Sequence, residues 1–428
     1  MKARSTIPIA ALLALAVASA AAQTKAPQQV VKPPVAQAWI DVATFAGMGM
    51  PMGAAGANPS AAMLGGMFGG QGGPNAFGNT QVGAAGRWVD VTLYTSRNPN
   101  LAEALQSVPA GTQLAPTLKL VSPTDQKGKP VRPDDESVDT PEYERPKGKM
   151  LLYWGCGENV RAGQPRVVDF ATAAPADYQK FFVARRATQR GTHSAVGRPH
   201  WPSRDDTRMV PAGASLAGEH GFSGQGVPDG FRFGIPAAQD IMPPIELAQR
   251  DAGGATVLEW KSLPTARAYF IAAMGAREGA GAEIVFWTSS EEPDTGMGLT
   301  DYQTNAAVDR WLREKVLLAP ATTTCTVPKG IFGEGAMLRM IAYGAELNLA
   351  HPPRPADPKL PWEPQWAVKV RVKSVASSLL GMDMASMTPE AEKEQAPAAG
   401  TPKKEDKPPS AVDEAMDAAK KLRGLFGR

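Results

Sequence analysis

Residues 253–290, GGATVLEWKSLPTARAYFIAAMGAREGAGAEIVFWTSS, contain three strand-like runs separated by turn chemistry. In the first, Leu258 and Trp260 lie two residues apart and share one side of a strand. The second alternates Tyr269, Ile271 and Ala273 against Phe270, Ala272 and Met274, and the third, Ile284 to Thr288, is apolar enough to be buried on both faces. Between them sit Ser262-Leu263-Pro264-Thr265 and the glycine-rich stretch Gly275 to Gly281. There proline fixes φ and glycine accepts φ > 0. Three strands, two turns and a buried Trp260 predict a sheet, and from it the whole chain reads as mainly β.

Later residues supply further strands. Leu338, Met340 and Ala342 alternate, and Trp366, Val368, Val370 and Val372 alternate against Lys369, Arg371 and Lys373, the pattern of a half-solvated strand. The Leu-x-Trp strand, the loop holding Pro264 and the Tyr269-x-Ile271 strand together resemble the B and C strands of a fibronectin type III-like β-sandwich, with Trp260 as the core aromatic. The resemblance spans about residues 250–376 in outline and implies adhesion or binding without fixing a ligand. One insertion departs from that family's pattern. Thr300-Asp301-Tyr302-Gln303 reads as a capping box, and behind it Val308, Trp311, Leu312 and Val316 recur at helical spacing.

Toward the N-terminus, Trp39-Ile40-Asp41-Val42 and Trp88-Val89-Asp90-Val91 repeat one pattern, with Trp and Asp on one face and β-branched residues on the other. They are predicted to be neighbouring strands joined by a disordered Met/Gly-rich loop over 43–86, which carries no charge between Ala43 and Gly86. A short helix near Leu101 to Leu105, a strand through Leu118 and Leu120, strands at Met150 to Trp154 and Arg166 to Phe170, and a helix from Ala176 to Arg186 follow. A mobile charged loop is expected at 123–148. The predicted organisation is two β-sandwich-like domains, 36–190 and 250–376, with a short inserted helix and long disordered loops. Residues 191–249 form an irregular connection in which Trp201, Phe222, Phe231 and Phe233 anchor the chain to the sheets. A disordered linker (388–409) then leads to an amphipathic helix (410–428) striped by Val412, Met416, Ala419, Leu422 and Phe426. That helix offers peripheral membrane or partner contact, or folds back on the body.

Lys2 and Arg4 precede an apolar run from Ile7 to Val17 and small residues around Ala20 and Ala22. This is the layout of a signal peptide over 1–22, cleaved after Ala20 or Ala22, and it predicts a periplasmic or secreted protein. The run is shorter than the roughly 20 residues that span a bilayer. With 45 Lys and Arg against 42 Asp and Glu in 428 residues, the scattered charge steers no polyanion, so nucleic acid is not an expected partner. The two cysteines, Cys156 and Cys325, are either buried thiols in separate cores or a disulfide closing a loop of about 170 residues.

No residue is assigned to catalysis, a cofactor or a metal, since no nucleophile elbow, zinc-protease helix, phosphate-binding loop or Cys-x-x-Cys occurs. His193, His200 and His220 share one loop-rich stretch. Asp205-Asp206 and Glu291-Glu292 are adjacent acids, and neighbours on a strand point apart. Met48, Met50, Met52, Met63 and Met67, with Met382, Met384 and Met387, resemble the methionine-rich segments of periplasmic copper-handling proteins, since thioethers suit Cu(I). Methionine as adaptable apolar filler is the simpler account. The functional expectation is an exported binding or interaction protein whose partner is an envelope protein or polymer. Periplasmic copper binding and hydrolysis of an envelope polymer stand as alternatives.

Overall fold

The computed structural model describes residues 29–47, 75–82, 85–124, 148–183, 185, 191–279, 281–333 and 335–381. In chain order the strands are β1 (Ala36–Gly47), β2 (Gly86–Thr95), β3 (Glu103–Ser107), β4 (Thr117–Val121), β5 (Gly148–Trp154), β6 (Arg166–Asp169), β7 (His200–Trp201), β8 (Gly218–Ser223) and β9 (Arg232–Ile235). They continue as β10 (Leu247–Ala252), β11 (Ala255–Trp260), β12 (Ala268–Gly279), β13 (Gly281–Thr288), β14 (Thr324–Val327), β15 (Ala336–Tyr343), β16 (Leu347–His351) and β17 (Trp366–Leu380). The helices are α1 (Asn79–Val82), α2 (Pro175–Phe181) and α3 (Asn305–Arg313). The mainly β class holds.

A single sheet carries most of these strands in the order β6-β5-β13-β12-β15-β17-β1-β2-β7-β4-β3-β8-β9, with β16 on β17; β10-β11-β14 form a second sheet. The strands expected to divide between sandwiches at 36–190 and 250–376 therefore share hydrogen bonds. β1 runs parallel to β17 from Ala36↔Trp366 to Gly47↔Ser377, and β5 runs parallel to β13 from Gly148↔Ala282 to Trp154↔Thr288. Both joins lie between strands largely buried on both faces, which is the condition under which parallel pairing is favoured. The stretch 191–249 is not irregular but contains β7 to β10, and Trp201, Phe222, Phe231 and Phe233 are all buried there.

Alternation builds a core on either side of the sheet. Tyr269, Ile271 and Ala273 of β12 face one core with Ile40, Val42, Val89, Val91, Val370 and the small sheet's Leu258 and Trp260. Phe270 of the same strand faces the other, with Phe45, Trp88, Ile341 and Val375 beneath Val308 and Trp311 of α3. That helix is capped by Thr304, whose Oγ1 accepts from the Ala307 amide at 3.2 Å, not by the expected box at Thr300 to Gln303. Asp301 and Tyr302 are committed elsewhere, as described below. Leu101 to Leu105 is not helical: β3 begins at Glu103 and pairs with β4 and β8, tertiary pairing overriding local propensity. The expected helix of Ala176 to Arg186 is shorter, and the loop assigned to 43–86 gives up Ala43–Gly47 to β1.

Two links close the second sheet. Gly253 and Gly254, at φ 65° and 86°, form the two-residue turn between β10 and β11, where positive φ at both positions suits a type I′ hairpin. Cys156, just past β5, is disulfide-bonded to Cys325 of β14 with the Cα atoms 5.2 Å apart. Beside it the Gly157 amide donates to the Thr326 carbonyl at 2.8 Å, so the large sheet is clamped to the small one at this end.

Candidate functional site

The Lys369-x-Arg371-x-Lys373 row is not solvated: these residues are 7, 5 and 1 % exposed. On a strand flanked on both sides the polar row cannot reach water at an edge, and its face is closed by segments 75–82, 191–193 and 299–303. The long stems pack while each charged head finds a partner.

The partners form a ladder set by register. Asp90 on β2, Asp41 on β1 and Arg371 on β17 are successive cross-strand neighbours. Arg371 donates from Nε to Asp41 Oδ1 and from Nη2 to Asp41 Oδ2, both at 2.6 Å, the bidentate geometry that suits a guanidinium and a carboxylate. Asp41 Oδ2 also accepts from the Thr192 amide at 3.0 Å and from its hydroxyl at 2.6 Å. One step along β17, Lys373 donates to Asp301 Oδ1 at 2.9 Å, and the Tyr302 ring lies against both cations, 4.3 Å from the Arg371 guanidinium and 4.1 Å from the Lys373 ammonium. Lys369 pairs with Glu346 at 3.6 Å. Arg371 can meet Asp41 this closely because residue 191 is glycine: a Cβ there would lie 1.7 Å from Arg371 Nη2.

Asp90 is the exception. Its carboxylate accepts from the Gly78 amide at 3.1 Å, the Thr80 amide at 3.4 Å and the Thr80 hydroxyl at 2.5 Å, and among the described residues it has no cation of its own. Burial pushes its pKa up to about 7; the negative charge of Asp41 adds to the rise, and the Thr80 and Gly78 hydrogen bonds oppose it. Burial lowers the Lys373 ammonium's pKa, with the Asp301 charge acting against it. For Asp301 burial acts upward, but the Lys373 charge and hydrogen bond hold the carboxyl below its ordinary range. Burial alone would lower Arg371; the Asp41 charge reverses this and raises it. Chemically the ladder holds three chain segments on one face of the sheet: 75–82 through Asp90, 191–193 through Asp41, and 299–303 through Lys373.

The residues singled out by sequence are placed apart. His220 is buried between the Leu216 carbonyl and Gln106, with its pKa lowered by burial. It lines a cavity of about 10 Å³ walled by Ile40, Val91, Leu118 and Trp201, room for at most one water. His193 sets its ring edge-on to Trp39, and His200 packs against Phe77 with the rings tilted by 50°. The three do not converge, and among the described residues no cluster of His, Cys, Asp and Glu could hold a metal. Asp206 caps the Trp201 indole and pairs with Arg208, while Glu291 pairs with Arg161. The methionine clusters (Met48 to Met67 and Met382 to Met387) lie outside the described residues, as do residues 1–22, 388–409 and 410–428.

Sequence reading missed Arg371, Lys373 and Asp41 as a unit. The available signal was the twice-used Trp-x-Asp pattern of β1 and β2, which places an acid at the same depth on adjacent strands. No protein-family model matches this chain, and no curated protein shows significant sequence similarity to it.

Proposed function

We propose that the protein is an exported, non-catalytic binding protein of the cell envelope whose recognition elements are the segments held by the charge ladder. The observation that carries this reading is the convergence of three distant segments on Asp90, Asp41 and Lys373. The Asp41 and Lys373 charges are spent on Arg371 and Asp301, and the Asp90 carboxyl on Gly78 and Thr80, so the chemistry available there fixes loop positions. A rigid sheet presenting fixed loops is the usual construction of a binding face. The disulfide between Cys156 and Cys325 supports export, since such bonds persist in oxidising compartments. The fibronectin type III-like reading of 250–376 is supported by β11 and β12 lying in different sheets, with Trp260 and Tyr269 packed edge to face at 5.6 Å between them.

The test is site-resolved cross-linking in the native cell. A photoreactive residue at the exposed position Ser194, beside the pinned Thr192, is compared with one at exposed Lys261, at the far end of β11. The reading expects a chain lacking residues 1–22, located in the envelope fraction, with an adduct to an envelope polymer or protein at least fivefold stronger from Ser194. Equal yields from both positions, or an unprocessed chain, overturn it.

A further inference from the structure

Asp41 and Asp90 are neighbouring buried carboxylates served, among the described residues, by one guanidinium, and that guanidinium is committed through two hydrogen bonds to Asp41. We infer that Asp90 is a proton-operated latch: segment Asn75–Val82 stays on the sheet while Asp90 carries a proton and leaves it when Asp90 ionises.

The segment's attachment is concentrated on this side chain. Gly78 and Thr80 donate to it, and the 2.5 Å contact with Thr80 Oγ1 is a bond that either oxygen can donate when the carboxyl is protonated. The remaining ties are peripheral: Asn75 bonds the Thr207 and Arg208 carbonyls at 3.2 and 2.8 Å, Phe77 packs on His200 with centroids 4.3 Å apart, and the Gln81 amide donates to Asp301 at 3.2 Å.

Among the described residues, the charged groups around Asp90 leave its negative charge without a cation. β1 presents Asp41, and β17 presents Arg371 and Lys373, already paired with Asp41 and Asp301. The 299–303 segment presents Asp301 and the buried Tyr302. Beyond Phe77 stands His200, whose proton affinity burial weakens, and Asp206 and Arg208 neutralise each other. Segment 75–82 itself contains no titratable side chain. Ionisation in place therefore buries a second negative charge beside that of Asp41, with only the Gly78 and Thr80 hydrogen bonds to offset it and burial outweighing them, whereas detachment of the segment lets water reach Asp90. The closed state binds the proton more tightly than the open one, so rising pH shifts the population toward opening.

Hydrogen exchange on the full-length protein tests this, corrected for the intrinsic pH dependence of exchange. Protection of residues 75–82 is expected to fall at least tenfold between pH 6 and pH 8.5 while β1 and β17 stay protected, and Asp90→Asn is expected to stay protected at both. A pH-independent wild type overturns the latch, as does an Asp90→Asn variant that loses protection in step with it. A carboxyl carbon NMR titration of the wild type gives an answer that needs no variant. An Asp90 midpoint between 6 and 8 that the Gly78 amide signal follows supports the latch, and a midpoint below 5 overturns it.

Discussion

Arg371 and Asp41 are register partners on parallel strands, joined by two 2.6 Å hydrogen bonds and 5 and 0 % exposed, so the last strand of the sheet grips the first through a buried ion pair. Removing one partner of such a pair strands the other charge in the interior, at a cost of about 3–5 kcal/mol. Arg371→Met is expected to lower the unfolding free energy by that much. Adding Asp41→Asn to it is expected to recover part of the loss, because the stranded charge goes too. Urea unfolding of the two single variants and the double variant checks this, and simple additivity would mean that the two side chains act independently.

Gly191 is the aperture through which that pair forms. Gly191→Ala places a methyl group 1.7 Å from Arg371 Nη2 and 2.6 Å from Asp41 Oδ2. Neither atom can retreat without breaking the bidentate bond, so the expected cost is about 3 kcal/mol, at the upper end for an overpacked site. A thermal melt indistinguishable from wild type would show that the 191–193 segment yields freely.

The pH dependence of stability has a calculable sign. Asp90 has a folded-state pKa raised from 3.8 to about 7, so between those values the folded chain holds a proton the unfolded chain has released. Its contribution is full below the unfolded value and is lost as pH rises through the folded one, a swing on the order of 4 kcal/mol. His200 and His220, lowered by burial, act in the opposite direction, since their contribution is present above the unfolded value of 6.5 and lost as pH falls. Subtracting the Asp90→Asn profile isolates the first effect. The wild type should lose stability relative to the variant from pH 5 to pH 8, measured by urea unfolding at each pH.

Two buried indoles differ in one hydrogen bond. Trp287 Nε1 donates to the Gly155 carbonyl at 3.1 Å, whereas Trp260 Nε1 is buried without an acceptor among the described residues. Trp260→Phe loses packing area but removes an unsatisfied donor, so a net change below about 1 kcal/mol is expected. Trp287→Phe orphans a carbonyl as well and should cost about 2–4 kcal/mol. Equal losses in paired denaturation curves would contradict the distinction.

The disulfide spans a sequence separation of 169. On the chain-entropy account such a closure contributes up to about 5 kcal/mol. Cys156→Ala with Cys325→Ala is expected to cost about 2–5 kcal/mol, and wild type unfolded in reductant should match the double variant. A reductant effect on the variant itself would point to some other cause.

Much of the sheet could be read from the residues. The alternation around Trp260, Tyr269 and Ile284 marks β11, β12 and β13, and the twin Trp-x-Asp runs mark β1 and β2 as neighbours, because period-2 patterning is a local property. Lys369, Arg371 and Lys373 defeated the same logic, since alternating valine and base looks identical whether the base faces water or a buried acid more than 300 residues away. The acid at Asp41, the glycine at 191 and the tyrosine at 302 acquire meaning only together. Their juxtaposition depends on which strand lies beside which, and that is decided by β1 meeting β17.

The β1 and β17 pairing also sets an order of assembly. Ala36 leaves the ribosome long before its partner Trp366 exists, and until then β1, an inner strand of the finished sheet, is a raw, largely apolar edge. No shortened chain ending before Trp366 can seal it, and closure across so long a separation carries a slow step that local hairpins do not. The described sheet is complete only once β17 arrives, which makes the unfinished chain the form most exposed to edge-to-edge association.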